Sequence, residues 1–350
     1  MKKFSSGRAC PAKCSGRPRS AGSGRVSKIR QIFSGGYSAK ISFLFLIFVL
    51  TLSFTLYPLP CFAGAGAAGL TFLKLGVGSR PVGMGEACVG VADDINAMYW
   101  NPGGLVQVRD REVSFVHTEW FQNIRYEYLG YCQPMLGGVL GMGATCLYIT
   151  DLEARQAATS TPDYYFGAYD VAIGVSYSKN FTQNLSMGGT LKGLWQRIDV
   201  LDAWGAAVDL GLLYKFDAEI LRSKKVSVGM SLLNAGWESP FITTSSPLPL
   251  TLKLGAAARY LEDKMILALD GTYCIADNTG GAGIGMEYIL HPMFVIRGGY
   301  KYNTAVSSLG LLSGLTCGLG FNWEKLYIDY AFVPYGDLGL THRVSLIAKF

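Results

Sequence analysis

Apolar and polar residues alternate with a period of two along most of the chain after residue 110. In residues 206–216, Val208, Leu210, Leu212 and Tyr214 fall on one side and polar or small residues fall on the other. The same pattern recurs in 251–260 and 293–302. A period of two is typical of β-strands with one apolar face. Two uncharged stretches, 128–150 and 302–323, are interrupted by glycine and polar residues, so we do not interpret them as membrane helices.

The composition argues against an ordinary soluble protein. Charged residues make up 16% of the 350 residues, hydrophobic residues make up 50%, and there are 44 glycines. A typical soluble domain carries about 25% charged residues. Ten basic residues and no acidic ones lie in residues 1–40, which leaves 21 basic against 25 acidic residues in the remainder. The folded part is therefore acidic, and we expect no nucleic acid partner.

Residues 1–63 are predicted to be a basic leader and signal peptide. The basic residues precede an apolar run, 41–57, which is followed by Pro58, Pro60 and small residues. Positive, apolar and small-residue regions in this order are the three parts of a secretory signal. We place cleavage after Ala63 or Ala65. A retained signal anchor, or a lipoprotein modified at Cys61, is the alternative.

The residue types that carry chemistry are sparse and scattered. Five cysteines remain after the leader, without a C-x-x-C pair, and His117, His291 and His342 lie in different segments. Common hydrolase, metalloprotease and P-loop motifs are absent from the sequence. We therefore predict no catalytic residues, no metal, no cofactor and no enzyme. A serine beside His117 or His342 at a barrel rim is the enzymatic alternative.

Residues 111–350 contain about fourteen segments of alternating pattern, each of roughly ten residues, the length of a tilted strand that crosses a bilayer. The number is even, as in bacterial outer-membrane barrels. The fold class predicted is all-β, a transmembrane antiparallel β-barrel of about 14 strands. The segments are 111–118, 124–133, 138–150, 169–180, 184–197, 205–216, 225–234, 249–260, 264–274, 281–290, 293–302, 314–322, 325–333 and 341–350.

The lengths of the connections predict an orientation, because such barrels have short periplasmic turns and longer outer loops. The outer loops are predicted at 119–123, 151–168, 198–204, 235–248, 275–280, 303–313 and 334–340. The periplasmic turns are predicted at 134–137, 181–183, 217–224, 261–263, 291–292 and 323–324. The predicted location is the cell outer membrane, with outer-membrane lipid around the barrel.

The chain ends in an alternating strand whose last residue is Phe350. This end resembles the C-terminus of outer-membrane barrels, where the terminal aromatic residue is read by the barrel-assembly machinery. The resemblance implies that this machinery is a partner.

Residues 64–110 lack the strand pattern and are predicted to form a hatch inside the barrel. The string Asn101-Pro102-Gly103-Gly104 favours a turn, and Asp93 and Asp94 are placed to cap a short helix over 95–100. Charged residues on the polar faces of the strands are predicted to line the lumen as salt bridges. They are Lys192, Asp209, Lys215, Lys253, Arg259, Asp270, Glu287, Arg297 and Asp329.

Two strings in this region, FLKLGVGSRPVGMGEA (72–87) and VADDINAMYWNPGGL (91–105), resemble the N-terminal region of the PorV/PorQ family. They are more distantly similar to the hatch of FadL-type channels for hydrophobic compounds. The FadL-like turn is Asn-Pro-Ala, whereas Gly103 stands third here. The resemblance implies hatch or gating candidates, which are Asp93, Asp94, Asn96, Asn101, Pro102 and Gly103.

Two functions follow as hypotheses from these resemblances. A FadL-like protein takes up a hydrophobic ligand passively. A PorV-like protein is a non-enzymatic partner in type IX secretion that binds secreted proteins, which requires a broad outer surface. Only the predicted loops 151–168 and 235–248 are long enough to provide one. The hatch is either a fixed plug or a segment that moves for a ligand, and the sequence leaves both open.

Overall fold

The computed structural model describes residues 66–218, 225–304, 311–335 and 339–350. The leader predicted at 1–63 and its cleavage site lie outside these residues. Within the described ranges, no helix is both long enough and apolar enough to cross a membrane.

Fourteen antiparallel strands close into one barrel, in which each strand pairs with its neighbours in sequence and β1 pairs with β14. The predicted fold class is confirmed. The strands are β1 Glu112–Glu119, β2 Arg125–Met135, β3 Gly138–Ala154, β4 Tyr164–Asn180, β5 Leu185–Ile198, β6 Leu201–Phe216, β7 Lys225–Glu238, β8 Thr251–Tyr260, β9 Met265–Cys274, β10 Thr279–His291, β11 Phe294–Asn303, β12 Leu315–Trp323, β13 Leu326–Pro334 and β14 Leu340–Lys349.

The two ends of the barrel sequence close the sheet. Glu112 lies opposite Lys349, and the register continues to Glu119 opposite His342. Arg111 and Phe350 extend the ladder, since the amide of each donates to the carbonyl oxygen of the other, at 3.2 and 3.0 Å. The backbone of the C-terminal residue therefore takes part in closure, which leaves no free sheet edge at this seam.

The period of two separates the two faces of the barrel wall. On β6, the side chain of Leu210 is 55% exposed on the outside, whereas that of the next lumen-facing residue, Asp209, is fully buried. Val208, Leu212 and Tyr214 share the outer face. An apolar outer face and a polar inner face are the arrangement of a barrel surrounded by lipid.

Several strands are longer than the sequence predicts. β3 and β4 have 17 residues each and β6 has 16. The predicted outer loop 198–204 is wrong, because β5 and β6 continue to a two-residue turn in which Asp199 adopts the left-handed φ of 55° that tight hairpins use. Loop 151–168 shrinks to 155–163 and loop 275–280 to 275–278. The contrast between outer loops and inner turns is thus weaker than predicted.

Between residue 66 and β1, the described chain forms short helices. They are the 3-10 helix Thr71–Lys74, α1 Ser79–Gly83, α2 Ala97–Trp100 and the 3-10 helix Pro102–Gln107. Two further 3-10 turns, Phe121–Asn123 and Leu311–Gly314, lie in strand connections. We use the name hatch for residues 66–110. The hatch packs against the inner face of the wall, and most of the buried apolar side chains lie at this contact.

Candidate functional site: the hatch and its cavity

The turn at Asn101 joins the hatch to the wall. The Asn101 side chain is fully buried, and its Nδ2 donates to the carbonyl oxygens of Val89 in the hatch and Leu212 in β6, each at 2.9 Å. Its Oδ1 accepts from the Gly103 amide at 3.1 Å. An amide side chain that both donates and accepts suits this place, because a carboxylate has no proton to donate. Asn101 therefore fixes the turn and its contact with the wall together.

Gly103 lies against the barrel backbone. Its carbonyl oxygen accepts from the hydroxyls of Ser186 at 2.7 Å and Ser178 at 3.1 Å. A Cβ at this position would lie 2.6 Å from the carbonyl oxygen of Gly211 and 2.8 Å from the amide nitrogen of Leu212. The departure from Asn-Pro-Ala thus has a steric reason in this chain, because the turn approaches the wall too closely for a methyl group.

Gly103→Ala is expected to destabilise the folded protein by about 1–3 kcal/mol, the usual cost of overpacking a filled interior. Gly193→Ala on β5 is the matched control, because a Cβ at Gly193 meets nothing within 4 Å. The measurement is the midpoint of urea unfolding in lipid vesicles. Equal midpoints for the two variants would contradict the close approach seen at Gly103.

Arg80 in α1 connects three carboxylates. Its guanidinium lies 2.6 Å from Asp93, 2.8 Å from Asp94 and 2.7 Å from Glu287 on β10. Glu287 also accepts from Arg297, which pairs with Asp329 at 2.6 Å. The network therefore runs from the hatch across the inner face of β10, β11 and β13. Arg80 was not among the residues predicted from sequence, although Glu287 and Arg297 were.

The two aspartates of the hatch, Asp93 and Asp94, do not cap α2 as the sequence predicts. Asp93 pairs with Arg80 and, at 2.5 Å, with Arg259 on β8. Asp94 Oδ1 accepts from the Asn96 amide at 2.8 Å, but α2 has no side-chain cap at its N-terminus. The amide of Ile95 donates instead to Glu112 on β1, at 2.9 Å. Ion pairing with the wall therefore replaces the predicted cap at Asp93.

Burial alone raises the pKa of the Asp93 carboxyl, but the guanidinium groups of Arg80 and Arg259 outweigh it and hold this pKa well below its ordinary 3.8. A carboxyl with a depressed pKa stabilises the fold fully above its ordinary pKa and loses that contribution as the pH falls below it. The contribution of Asp93 to hatch docking is therefore complete at neutral pH and lost only in strong acid.

The remaining predicted residues are distributed over the wall. Asp209 pairs with Lys192 at 2.5 Å and accepts from the Asn234 amide at 2.7 Å. Lys215 is exposed near the end of β6. Asn96 is buried, and its side-chain amide has no hydrogen-bond partner within the described residues. The structure thus brings Asp93, Asp94, Arg259, Glu287 and Arg297 together and leaves Asp209 and Lys215 apart from them.

A cavity of about 510 Å³ lies between the hatch and strands β7 to β13. A volume between about 300 and 1,000 Å³ is typical of sites for small molecules. The apolar and aromatic part of its lining includes Leu73, Leu75, Val82, Tyr99, Trp120, Leu233, Tyr300, Val333 and Tyr335. The charged part is Lys74, Glu86, Lys253, Asp270, Asp277 and Lys301.

Most of the charges around the cavity are paired. Lys74 contacts Asp277 at 2.5 Å and Lys301 contacts Glu86 at 2.7 Å. Burial raises the pKa of Glu86, but the cations around it, Lys301 first, more than offset this and lower it. The sequence analysis singled out only Lys253 and Asp270 from this group. Lys301 lies on the polar side of the alternation in 293–302, which is the signal that would have found it.

This geometry defines a class of protein, a closed barrel of fourteen strands whose N-terminal segment fills part of the lumen beside a cavity. No protein-family model and no curated protein sequence matches the chain. Among solved structures, the deltaS2S3 mutant of the TodX monoaromatic hydrocarbon channel has a TM-score of 0.53 at 14% identity, over 79% of this chain and 99% of that one. This likeness shows a shared fold.

Two further structures are similar at lower scores. The Pseudomonas putida toluene transporter TodX has a TM-score of 0.48 at 13% identity, over 76% of this chain and 96% of that one. A Pseudomonas aeruginosa FadL homologue has a TM-score of 0.47 at 10% identity, over 78% of this chain and 98% of that one. The PorV/PorQ resemblance gains no support from the comparisons.

Proposed function

We propose that this protein is an outer-membrane channel for the passive uptake of hydrophobic small molecules. The observation that carries the proposal is the cavity of about 510 Å³ between the hatch and β7 to β13. Aliphatic and aromatic side chains from both the hatch and the wall line it, so a ligand in the cavity contacts both. The FadL-type fold supports the proposal, since the similar TodX structure is described as a monoaromatic hydrocarbon channel.

The proposal also includes two partners of the barrel, outer-membrane lipid and the barrel-assembly machinery. The apolar outer face of the strands contacts outer-membrane lipid, and the terminal strand with Phe350 is read by the barrel-assembly machinery. The gating candidates of the sequence analysis keep that role as part of the proposal. Of these, Asn101 is the one whose loss changes both the turn and its contact with β6.

Purified protein in lipid vesicles is expected to speed the entry of a hydrophobic probe such as toluene or a long-chain fatty acid. Asn101→Ala is expected to lower the rate of entry, because the turn loses its hydrogen bonds to Val89 and Leu212 and the hatch side of the cavity is no longer held in place. Asn184→Ala, at an exposed residue between β4 and β5, is the matched control and should keep the wild-type rate. The measurement is the accumulation of probe inside the vesicles.

Protein that binds no hydrophobic probe and does not speed its entry would contradict the proposal. If such protein also co-purified with secreted proteins, the result would favour the alternative from the sequence, a PorV-like partner in type IX secretion. That alternative receives no support from the comparisons, and two of the outer connections that it relies on are shorter than predicted.

A further inference from the structure

Lys253 on β8 differs from the other two lysines of the cavity. Lys74 and Lys301 each contact a carboxylate. Lys253 is only 8% exposed, yet within the described part of the chain its ammonium group makes no hydrogen bond and no ion pair. Its Nζ lies 4.4 Å from the centroid of the Trp100 ring. An ammonium group that lines a largely apolar cavity attracts an anion, and Lys253 has no carboxylate in contact among the described residues.

The nearby carboxylates do not supply that partner. Glu86 is paired with Lys301 at 2.7 Å. Asp270 Oδ2 accepts from the amides of Cys88 and Val89, each at 2.7 Å, and its buried Oδ1 has no hydrogen-bond partner among the described residues, so neither oxygen contacts Lys253. Both carboxylates attract Lys253 without contacting it. The indole N–H of Trp100 is also occupied, since it donates to the Val77 carbonyl oxygen at 2.9 Å, and only the ring face is left for the lysine.

The rest of the cavity wall suits a flat apolar group. Tyr99 from the hatch, Tyr300 and Tyr335 from the barrel, and the aliphatic Leu233 and Val333 all line it. The Tyr99 hydroxyl donates to the Leu73 carbonyl oxygen at 2.9 Å. Because the hydroxyl is already hydrogen-bonded, Tyr99 presents its apolar ring to the cavity. Aromatic side chains bind flat aromatic groups favourably by stacking or edge contacts.

We infer that the cavity selects an amphiphile with one carboxylate, which pairs with Lys253, and with an aromatic body that packs against the tyrosines. This inference rests on the proposed function and specifies its ligand. Lys253 is the specificity-determining residue, because it is the cation of the cavity that has no carboxylate in contact among the described residues. A neutral hydrocarbon leaves the ammonium group without an acceptor, and a cationic ligand is repelled by it.

The test compares three ligands by titration calorimetry of the full protein in lipid nanodiscs. They are naphthalene-2-carboxylate, its neutral analogue 2-naphthalenemethanol, and decanoate. The wild-type protein is expected to bind the carboxylate about tenfold more tightly than the alcohol, since a charged hydrogen bond is stronger than a neutral one. Decanoate is expected to bind more weakly than the aromatic carboxylate.

Lys253→Met keeps the length of the side chain and removes the charge. It is expected to lower the affinity for the carboxylate to that of the alcohol and to leave the alcohol within about twofold of the wild-type value. Lys253→Arg should restore most of the preference. Lys264→Met, at an exposed lysine between β8 and β9, is the matched control. The heat-modifiable gel shift of each variant establishes that the barrel has assembled.

Different results contradict different steps. Equal affinity of the wild-type protein for the carboxylate and the alcohol would overturn the inference and leave the proposed function intact. An unchanged preference in Lys253→Met would also overturn it. Tighter binding of decanoate than of the aromatic carboxylate would overturn the aromatic part. Failure of all three ligands to bind would contradict the proposed function itself.

Discussion

Deletion of residues 76–105 is expected to leave an assembled barrel whose ion conductance in planar bilayers is raised on the order of tenfold or more, because barrels of this size enclose a wide lumen when nothing fills it. The strands form a closed ladder among themselves, so barrel assembly does not depend on hatch hydrogen bonds. The deleted residues include Val77, Ile95 and Trp100, all fully buried against the wall or the rest of the hatch. Their removal opens the lumen to water and ions.

The control for this experiment deletes residues 157–160, which are exposed in the connection between β3 and β4 and lie outside the hatch. This shorter deletion should assemble and keep the wild-type conductance. Heat-modifiability on a gel establishes assembly for both variants. An assembled hatch deletion with unchanged conductance would show that the hatch does not close the lumen.

The strands could be predicted from sequence because their signal is local. Each strand needs only the alternation in its own ten or so residues, and a closed barrel places every strand next to its sequence neighbours. The errors lie at the strand ends near loop 155–163 and the turn at Asp199. At these ends polar and apolar residues are exposed together, Asp151 and Glu153 on β3 and Val200 and Leu201 at the turn, so the alternation is weak. Pairing with the neighbouring strand then decides where the strand ends.

The candidate site was harder to predict because its contacts join distant residues. Arg80 reaches Glu287, which lies 207 residues further along the chain, and no local pattern indicates that pair. Alternation places Glu287 and Arg297 on the lumen side but does not say which hatch residue meets them. The sequence predicts a turn over Asn101-Pro102-Gly103-Gly104, and the structure has there the 3-10 helix Pro102–Gln107, which Asn101 caps. The steric reason for Gly103 depends on the Gly211 carbonyl of the wall, which sequence alone does not locate.

The cavity also depends on contacts between residues that are far apart in the sequence. The lumen face of β8 and β11 was predicted, so Lys253 could be placed in the lumen from its sequence position. Whether a lumen lysine has a carboxylate partner depends on how the hatch is folded. Glu86 meets Lys301 because the hatch chain turns at this point, where Glu86 adopts a left-handed φ of 62°. The lysine without such a contact is known only after these pairs are assigned.

Removal of the Arg80 side chain in Arg80→Met is expected to destabilise docking of the hatch by about 3–5 kcal/mol, since breaking a buried ion pair leaves an uncompensated charge. Asp93 and Glu287 each keep a second cation, Arg259 and Arg297. Asp94 contacts no other cation within the described residues, so its carboxylate bears most of the loss. The measurement is hydrogen exchange of backbone amides in residues 76–105 at neutral pH.

A second variant and a control distinguish the loss of the Arg80 charge from the change in side-chain shape. Arg80→Met combined with Asp94→Asn should recover part of the loss, because the amide oxygen of asparagine still accepts from the Asn96 amide without leaving an unpaired charge. Lys225→Met removes a cation from an exposed pair with Asp263 and should change hatch exchange little, since exposed ion pairs contribute about 0–1 kcal/mol. If Arg80→Met exchanged as slowly as Lys225→Met, the network would not hold the hatch, and apolar packing at Val77 and Trp100 would have to do so alone.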